Sequence, residues 1–510
     1  MTSMPTAYAS LKERFHLLGN LTGAGGILYM DSMTVMRPGS EADRSEQTMA
    51  LATARQKLLA HPEVQGWLDE AEAGASSLAQ EDRTNLRLMR RQWLSATALP
   101  ESLVRESARL EVEGNNLHTR HYQQGDWASM RPAYEAAFTV AREIGAIMKD
   151  ALGVATAYEA LLDQFNPGLK LATVEREFAR LEQALPAMIA EATERQRAAG
   201  APRPLPRVPL EVLRKIGEDL TRGLGFDESR GVLHVGDMHP MSGGTPDDAR
   251  MTTRYHPENP LDGLFTVAHE TGHSLYEQGT PRAFRYQPAG HSMGMDIHES
   301  QSMILELQAC RTPEFLGSLS AKLRAHVDDP AFAAENIARH LFQVEPSFIR
   351  IHSDELTYPG HILLRFNLER DLVAGALEVR HVPEAWNAAM KRSFGLVPSG
   401  PAQGHMQDVH WPTMGIGYFP SYTLGAMGAA QLFAAAVRAR PEIRGELGRG
   451  EFQALRGWLV DNVHSKGSLL TQDELFTVAT GEPLNAAHYM SHLSRRYLGR
   501  EVQAASAVSR

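Results

Sequence analysis

Amphipathic helical patterns dominate this chain and constrain its fold more than any other feature. From Tyr8 to about Phe226, apolar residues recur at three- and four-residue steps between charged residues, with short polar or Gly/Pro-containing breaks. Helices are predicted to open at Pro100–Glu101 and Gly125–Asp126, and Leu171 to Arg197 form one long amphipathic run. Similar patterns return from Gln301 to the C-terminus. The sequence therefore predicts a mainly α fold.

A long linker would indicate a domain boundary, and this sequence contains no segment that argues for one. Its 510 residues permit either several domains or one large domain. The Pro-rich bend from Ala201 to Pro209 is the best candidate boundary, and its length suits a loop. We therefore predict a single domain over residues 1–510.

One segment departs from the helical pattern. Gly231 to Val235 and Arg250 to Tyr255 resemble two short strands on either side of a loop rich in Gly, Pro and Asp. We predict that they pair as a small antiparallel β-ribbon beside the helix that follows. An extended peptide could add to the edge of such a ribbon through backbone hydrogen bonds.

Composition excludes several classes of partner and site. Net charge is −10 without a basic block, which argues against nucleic acid or an anionic membrane as a partner. Cys310 is the only cysteine, so a disulfide within the chain and a thiolate zinc cluster are both excluded. No apolar run resembles a signal peptide or a membrane span. We expect an unanchored cytoplasmic protein whose metal, if it has one, is held by histidine and carboxylate.

The sequence His269-Glu-Thr-Gly-His273 is the strongest candidate for a functional site. Two histidines four residues apart lie on one face of a helix, where their ring nitrogens can bind one metal ion. Glu270 is turned away from the ligand positions but can reach water at the metal. Gly272 weakens a helix, which suggests that another segment packs against its backbone. The alternative is that both histidines are ordinary core residues.

The residues before this motif support a helix. Asn259 suits the N-cap, Pro260 the first helical position, and Asp262 adds negative charge to the first turn. Apolar residues then recur at helical spacing, at Leu261, Leu264, Phe265, Ala268, Leu275 and Tyr276.

A catalytic zinc needs a third protein ligand, and Glu299 is the best candidate. It lies 26 positions after His273, within a polar segment, Asp296 to Gln301, that interrupts the start of an apolar helix. Two histidines and one glutamate form a common hydrolase site. His298 is the alternative ligand, and a solvated helix entrance is the alternative reading of the whole segment.

Several motifs together resemble the carboxypeptidase Taq family of metallocarboxypeptidases. The metal motif continues into Leu275-Tyr-Glu-Gln-Gly279 and is followed by His298-Glu-Ser-Gln301. The family's other motifs are matched, in order, by Asp248-Ala-Arg-Met-Thr252, Ile349-Arg-Ile-His-Ser-Asp354 and Gly404-His-Met-Gln-Asp-Val-His-Trp411. The resemblance extends over nearly the whole chain. Departures are Met30 where tryptophan is usual, Ser353 where alanine is usual, and Met303 and Leu307 where polar residues are typical.

The resemblance implies a fold and an activity. It implies an almost wholly α-helical, saddle-shaped single domain with a deep groove, usually a homodimer, that removes single residues from peptide C-termini. It implies zinc held by His269, His273 and Glu299, with Glu270 catalytic. Cobalt and manganese suit the same ligand types.

Further residues receive roles as hypotheses. A free C-terminal carboxylate suits the fork of an arginine, for which Arg350 and Arg250 are the candidates. Each is alternatively a structural ion pair, with Asp354 or Asp248. His410, Tyr418 and Tyr422 are candidate donors to the oxyanion, with His410 and Tyr422 assigned as catalytic, and Tyr418 and Gln407 are candidate substrate-binding residues. His298 and Asp296 are either supports of the ligands or surface residues.

Two rival functions remain open at this stage. A zinc endopeptidase or oligopeptidase with a similar helical groove would share every metal residue and differ in how it recognises the substrate end. A non-catalytic helical binding scaffold would contain no metal.

Overall fold

A computed structural model describes residues 6–500, and this part of the chain is mainly helical, as the sequence predicts. Its α-helices are α1 (Thr6–Thr34), α2 (Glu41–Leu59), α3 (Pro62–Ala73), α4 (Gln80–Thr97), α5 (Glu101–His121), α6 (Trp127–Leu152), α7 (Ala157–Asp163), α8 (Leu171–Ala199), α9 (Leu210–Leu224), α10 (Pro260–Gly279), α11 (Met295–Met303), α12 (Pro313–His326), α13 (Ala334–Leu341), α14 (Tyr358–Ala374), α15 (Val382–Phe394), α16 (Pro420–Ala439), α17 (Ile443–Arg449), α18 (Gln453–Asn462), α19 (Gln472–Thr480) and α20 (Ala486–Leu498).

Local signals placed several helix ends correctly. The Asp126 side chain accepts a hydrogen bond from the backbone N–H of Ser129 at 3.1 Å and caps α6. Helix α10 begins at Pro260, although the Asn259 side chain makes no capping hydrogen bond. The predicted loop from Ala201 to Pro209 has no regular secondary structure. Among the described residues, no helix is both long and apolar enough to cross a bilayer.

Three hydrophobic clusters form the core of the described residues. The largest extends from α5 to α20, a smaller cluster joins α1, α3 and α4 through residues such as Phe15, Leu68 and Met89, and a third contains only Phe226, Ala249 and Met251. Asn85 of α4 ties the smaller cluster to the remainder by a hydrogen bond to Gln287 at 3.3 Å. The single domain and the saddle shape stay predictions.

The small sheet corrects the predicted ribbon. It has three strands, β1 (Gly231–Val235), β2 (Met241–Thr245) and β3 (Asp248–Thr253), in the order β1-β3-β2. The two predicted strands correspond to β1 and β3, and they pair in parallel, with Gly231 opposite Ala249. The antiparallel partner of β3 is β2, which lies in the segment predicted as a loop. The chain reverses direction before β2 and again after it, so β3 runs in the same direction as β1. The predicted antiparallel pairing of these two strands was therefore wrong.

Helix α11 lies between α10, which carries the two histidines, and α16, and the three helices are closely packed. A Cβ atom at Gly272 of α10 would lie 2.3 Å from the carbonyl oxygen of Gln301 in α11, so the predicted close approach at this glycine is confirmed. On the other side of α11, a Cβ atom at Gly425 of α16 would lie 2.7 Å from the Cβ of Glu299. The two glycines allow α10, α11 and α16 to approach closely enough to bring Glu299 beside α10.

Candidate metal centre and active site

The three predicted ligands lie together. The Nε2 atom of His269 is 3.8 Å from Oε1 of Glu299, and the Nε2 atom of His273 is 3.6 Å from Oε2 of the same carboxylate. One ligand atom from each residue can be chosen so that all three lie within 4.8 Å of one another. We call His269, His273 and Glu299 the metal cluster.

A carboxylate holds the outer nitrogen of His269. Its Nδ1 lies 2.9 Å from Oε2 of Glu306, and Arg311 donates to the other Glu306 oxygen at 2.6 Å. Glu306 belongs to a six-residue π-helical segment, Ile304–Ala309, that continues α11. Such segments occur frequently at functional sites. A proton on Nδ1 of His269 leaves Nε2 free as a ligand.

A second histidine holds His273. The Nδ1 atoms of His273 and His298 lie 2.7 Å apart, and Nε2 of His298 is 3.0 Å from Oε1 of Glu277. The Ser292 hydroxyl donates to the same Glu277 oxygen at 2.6 Å. His298 therefore lies behind His273, in the supporting position that the sequence left open, and again Nε2 of the ligand is free.

The chemistry of this cluster fits a divalent cation. Two imidazole Nε2 atoms, each on a ring held at its other nitrogen, and one carboxylate form the donor set of many catalytic zinc sites. Burial raises the pKa of Glu299. Burial would lower the pKa of His269, but Glu306, Glu299 and Glu270 outweigh it and raise the pKa to about 10. This surplus of carboxylate charge favours a cation.

Glu270 is buried beside the metal cluster and next to the small sheet. Its side chain is on α10, and Ser242 of β2 is near enough to lower its pKa by hydrogen bonding. Burial has the larger effect and raises the pKa of Glu270 above the ordinary glutamate value. A carboxyl group whose pKa moves toward neutrality is suited to both accepting and returning a proton.

Arg350 is buried in an ion-pair cluster, but with a different partner from the one predicted. Its Nε and Nη2 atoms donate to Oδ1 of Asp408 at 2.9 and 2.8 Å, and Nη1 donates to the Tyr358 hydroxyl at 2.7 Å. The Nε atom of Arg365 donates to the other Asp408 oxygen at 2.6 Å. Asp354 instead accepts from the backbone N–H groups of Leu356 and Thr357. The proposed Arg350–Asp354 pair is therefore absent.

We call Arg350, Asp408 and Arg365 the arginine cluster. Two guanidinium groups share one carboxylate, so the cluster retains one positive charge. Burial raises the pKa of Asp408, but Arg365 and Arg350 outweigh this effect and hold it well below its usual range. Arg350 has five N–H groups on its side chain, and three of them donate to Asp408 and Tyr358. Two remain for another acceptor.

Gln407 supports this cluster through the backbone. Its Oε1 atom accepts from the backbone N–H of Arg350 at 2.7 Å, while Nε2 donates to the carbonyls of Phe348 and Gly404 at 2.9 and 3.0 Å. These contacts occupy the side-chain amide that the sequence assigned to substrate.

Arg250 forms a neutral pair. Its Nε and Nη2 atoms donate to Asp248, on the same strand, at 3.0 and 2.9 Å. This matches the alternative that the sequence offered. Arg250 lies opposite Gly243 of β2, one position from the Ser242 that borders Glu270.

Tyrosines connect the two clusters. The charge of Glu299 adds to burial in raising the pKa of Tyr358, Tyr418 and Tyr422, which places all three hydroxyls in its electrostatic range. Tyr422 packs edge-on against both other rings, with centroids 5.9 and 5.2 Å away. His410 packs against Tyr418 at 5.6 Å, and burial lowers its pKa to about 4, so the ring is neutral at pH 7.

Sequence reasoning missed four supporting residues. Glu306 follows Glu299 by seven positions and Glu277 follows His273 by four, so helical spacing could have indicated both. Tyr358 and Arg365 carry no comparable local signal, because Tyr358 is not on the same helix as its partner Arg350, and Arg365 is 43 positions from its partner Asp408.

Comparison with known proteins agrees with this geometry. The profile of the carboxypeptidase Taq (M32) metallopeptidase family matches residues 10–497. Thermostable carboxypeptidase 1 of Thermus thermophilus is 31% identical over 509 residues, covering 96% of this chain and 98% of that protein. The structure of Trypanosoma cruzi metallocarboxypeptidase 1 superposes with a TM-score of 0.94 at 33% identity, covering 97% of this chain and all of that one. An M32 carboxypeptidase from Deinococcus radiodurans gives 0.90 at 31% identity, covering 97% and 99%.

With the profile covering almost the entire sequence and with relatives of this similarity along their full length, this chain belongs to the carboxypeptidase Taq (M32) family and is a metallocarboxypeptidase.

Proposed function

We propose that this enzyme hydrolyses the C-terminal peptide bond of peptides, releases single amino acids with broad specificity, and uses zinc held by His269, His273 and Glu299. The observation that carries the proposal is the buried arginine cluster, which keeps a positive charge and two unused Arg350 N–H groups near Glu299. A peptide carboxylate would neutralise that charge.

Zinc, when bound, polarises the scissile carbonyl and makes water more acidic. Glu270 accepts the proton of the attacking water and passes it to the departing amine. Its raised pKa supports both steps, because a stronger base takes the proton more readily and its conjugate acid can still return it near neutral pH. Cobalt and manganese are compatible with the same ligand set.

Arg350 orients the substrate by binding its C-terminal carboxylate with the two remaining N–H groups, while Asp408 and Tyr358 fix the guanidinium plane. Arg250 is the less favoured candidate, since Asp248 already neutralises it. In this proposal Gln407 acts through Arg350 rather than by touching the substrate.

The carbonyl oxygen gains negative charge when water adds to the carbonyl carbon, and it then needs a hydrogen-bond donor. Tyr418 and Tyr422 are favoured over His410, because the charge of Glu299 acts on both tyrosines. The neutral His410 ring then packs against Tyr418 and holds it in place.

The test is to incubate one peptide with a free or an amidated C-terminus and to identify the products by mass spectrometry. A ladder shortened from the free C-terminus supports the proposal. Internal fragments from both peptides would instead indicate the endopeptidase or oligopeptidase alternative. Metal analysis after purification without chelator should give about one zinc per chain, and a value near zero would indicate the binding scaffold.

We further propose a homodimer, on the basis of the family resemblance alone, and retain the cytoplasmic location predicted from the sequence. Light scattering of the purified protein would give a mass near twice 56.2 kDa for a dimer. A mass near 56.2 kDa would overturn this part of the proposal.

A further inference from the structure

A pocket lies between α16 and α20. Its volume is about 530 Å³, within the range of small-molecule sites. One face of α20 lines it with polar side chains at helical spacing: His488, Ser491, His492, Arg495 and Arg496. The facing side of α16 is mainly apolar and contributes Ala430, Phe433, Ala434 and Val437. The pocket therefore combines a cationic wall with an apolar floor.

The ionisable side chains that line the pocket are all of basic types. Five arginines and two histidines line the pocket, and no carboxylate is among its lining residues in the described part of the chain. This local excess of basic residues contrasts with the net charge of −10 of the whole chain. A pocket with this field would attract an anion rather than a neutral or cationic ligand.

Most of these basic side chains have a partner behind the pocket wall. Arg444 pairs with Glu314 at 3.0 Å, and Arg496 pairs with Glu355 at 2.7 Å. His492 also contacts Glu355, and His488 contacts Glu482. These pairs hold the wall in place and cancel part of its charge.

Arg438 and Arg495 are different, because neither makes an ion pair or a side-chain hydrogen bond with any of residues 6–500. Glu482 is near enough for Arg438 to lower its pKa, but this carboxylate is engaged with Asn485 and His488. Two positive charges are thus left at the pocket. A single carboxylate would cancel only one of them.

Arg311 lines the same wall and adds a further guanidinium group. On its other side Arg311 donates to Glu306, the support of His269.

We propose that this pocket is a second, non-catalytic site that binds a small phosphate monoester with an apolar or aromatic body. A phosphate monoester carries nearly two negative charges at pH 7 and three acceptor oxygens, which match the two unpaired guanidinium groups of Arg438 and Arg495. The ring or chain of the ester would cover Phe433 and Val437 on the floor. This proposal is independent of the metal chemistry.

Calorimetric titration of the full-length, metal-loaded enzyme with phenyl phosphate tests the proposal. The wild-type protein is expected to bind one equivalent at this pocket. The double variant Arg438→Gln/Arg495→Gln is expected to weaken that binding at least ten-fold and to leave peptide cleavage without phenyl phosphate unchanged. Arg311 is left intact because it also supports His269.

Arg120→Gln is the matched control, since Arg120 is an exposed arginine on α5 outside this pocket. It should bind phenyl phosphate as the wild type does. Phenylacetate and inorganic phosphate should each bind more weakly, since the first carries one charge and the second lacks the ring. Equal affinity of the wild-type and double-variant proteins, or no binding at all, overturns the proposal.

A crystal soaked with 4-bromophenyl phosphate locates the ligand directly. An anomalous bromine peak between α16 and α20 supports the proposal. A peak confined to the metal cluster overturns it, because it would show that the phosphate binds at the catalytic site.

Discussion

The metal cluster and the arginine cluster are both buried and charged, but they satisfy their charges in opposite ways. In the metal cluster, Glu306 and His298 occupy the outer nitrogens of the two histidines, and the inner Nε2 atoms remain free. In the arginine cluster, Asp408 and Tyr358 take most of the donors of Arg350, and what remains is an unbalanced charge.

This difference indicates what each cluster can do. Free lone pairs on fixed rings are suited to hold a cation, and their supports determine how tightly it is held. A fixed guanidinium with surplus charge is suited to hold an anion, and its supports determine where that anion lies. The metal cluster is therefore suited to a cation and the arginine cluster to an anion, which is the pair of groups that our proposal for cleavage next to a terminal carboxylate needs.

The largest effect is expected from Glu270→Gln. The amide keeps the size of the side chain but cannot accept the proton, so kcat should fall by about 10²- to 10⁴-fold. Zinc content should stay near that of the wild type, because Glu270 is not one of the three ligands. His269→Ala serves as the contrasting variant and should lose the metal itself. Full activity of the metal-loaded Glu270→Gln enzyme would contradict the proposed role of Glu270 in proton transfer.

The second-largest effect is expected from Arg350→Ala. Loss of one partner from a buried charge pair costs roughly 2–5 kcal/mol, so kcat/KM for free-acid peptides should fall by about two orders of magnitude or more. Residual cleavage of C-terminally amidated peptides should change much less.

Arg250→Ala is the matched control for this variant, since Arg250 already has a one-to-one partner. It should have the smaller effect on free-acid peptides. If Arg350→Ala impairs free-acid and amidated substrates equally, the arginine cluster does not bind the substrate end. A thermal melt separates loss of recognition from loss of folding.

Glu306→Gln tests the support of the metal cluster. Loss of the carboxylate behind His269 should weaken zinc binding by about 10- to 100-fold, as is typical when such a support is changed. Competition with a chelator measures the zinc Kd. Glu277→Gln should have a smaller effect, because His298 lies between Glu277 and the ligand His273. Unchanged zinc affinity in both variants would show that the supports do not govern the metal.

The smallest effect is expected from Gln407→Ala. Loss of its bond to the Arg350 backbone should reduce the free energy of unfolding by about 1 kcal/mol and raise KM for free-acid peptides several-fold. Chemical denaturation without substrate measures the first effect. A rise in KM with unchanged stability would instead support direct contact between Gln407 and the substrate.

Much of the metal cluster could be predicted from local sequence patterns. Two histidines at a four-residue spacing share a helix face wherever the helix lies, and Gly272 indicated the close approach of another segment. Glu299 was inferred from the polar interruption at the start of an apolar helix. The histidine spacing and the glycine signal are local to α10, whereas Glu299 is on α11, and its role as a metal ligand stays a prediction.

The contacts of the arginine cluster could be predicted much less well from the sequence. The predicted partner Asp354 is four positions from Arg350, whereas the observed partner Asp408 is 58 positions away. The strand pairing failed for a similar reason, since β1 and β3 are parallel only because β2 lies between them in the chain. Local spacing says nothing about which distant segments meet.

The sequence by itself determined the helical class, the family resemblance and the residues able to bind a metal, because periodicity and residue chemistry are local properties. Only the tertiary structure decided which nitrogens are held and which are free, that Arg350 shares Asp408 with Arg365, and that Glu306 connects His269 to Arg311. Those features depend on packing between distant helices. The close approach of α10, α11 and α16 at Gly272 and Gly425 is what brings Glu299 to the two histidines.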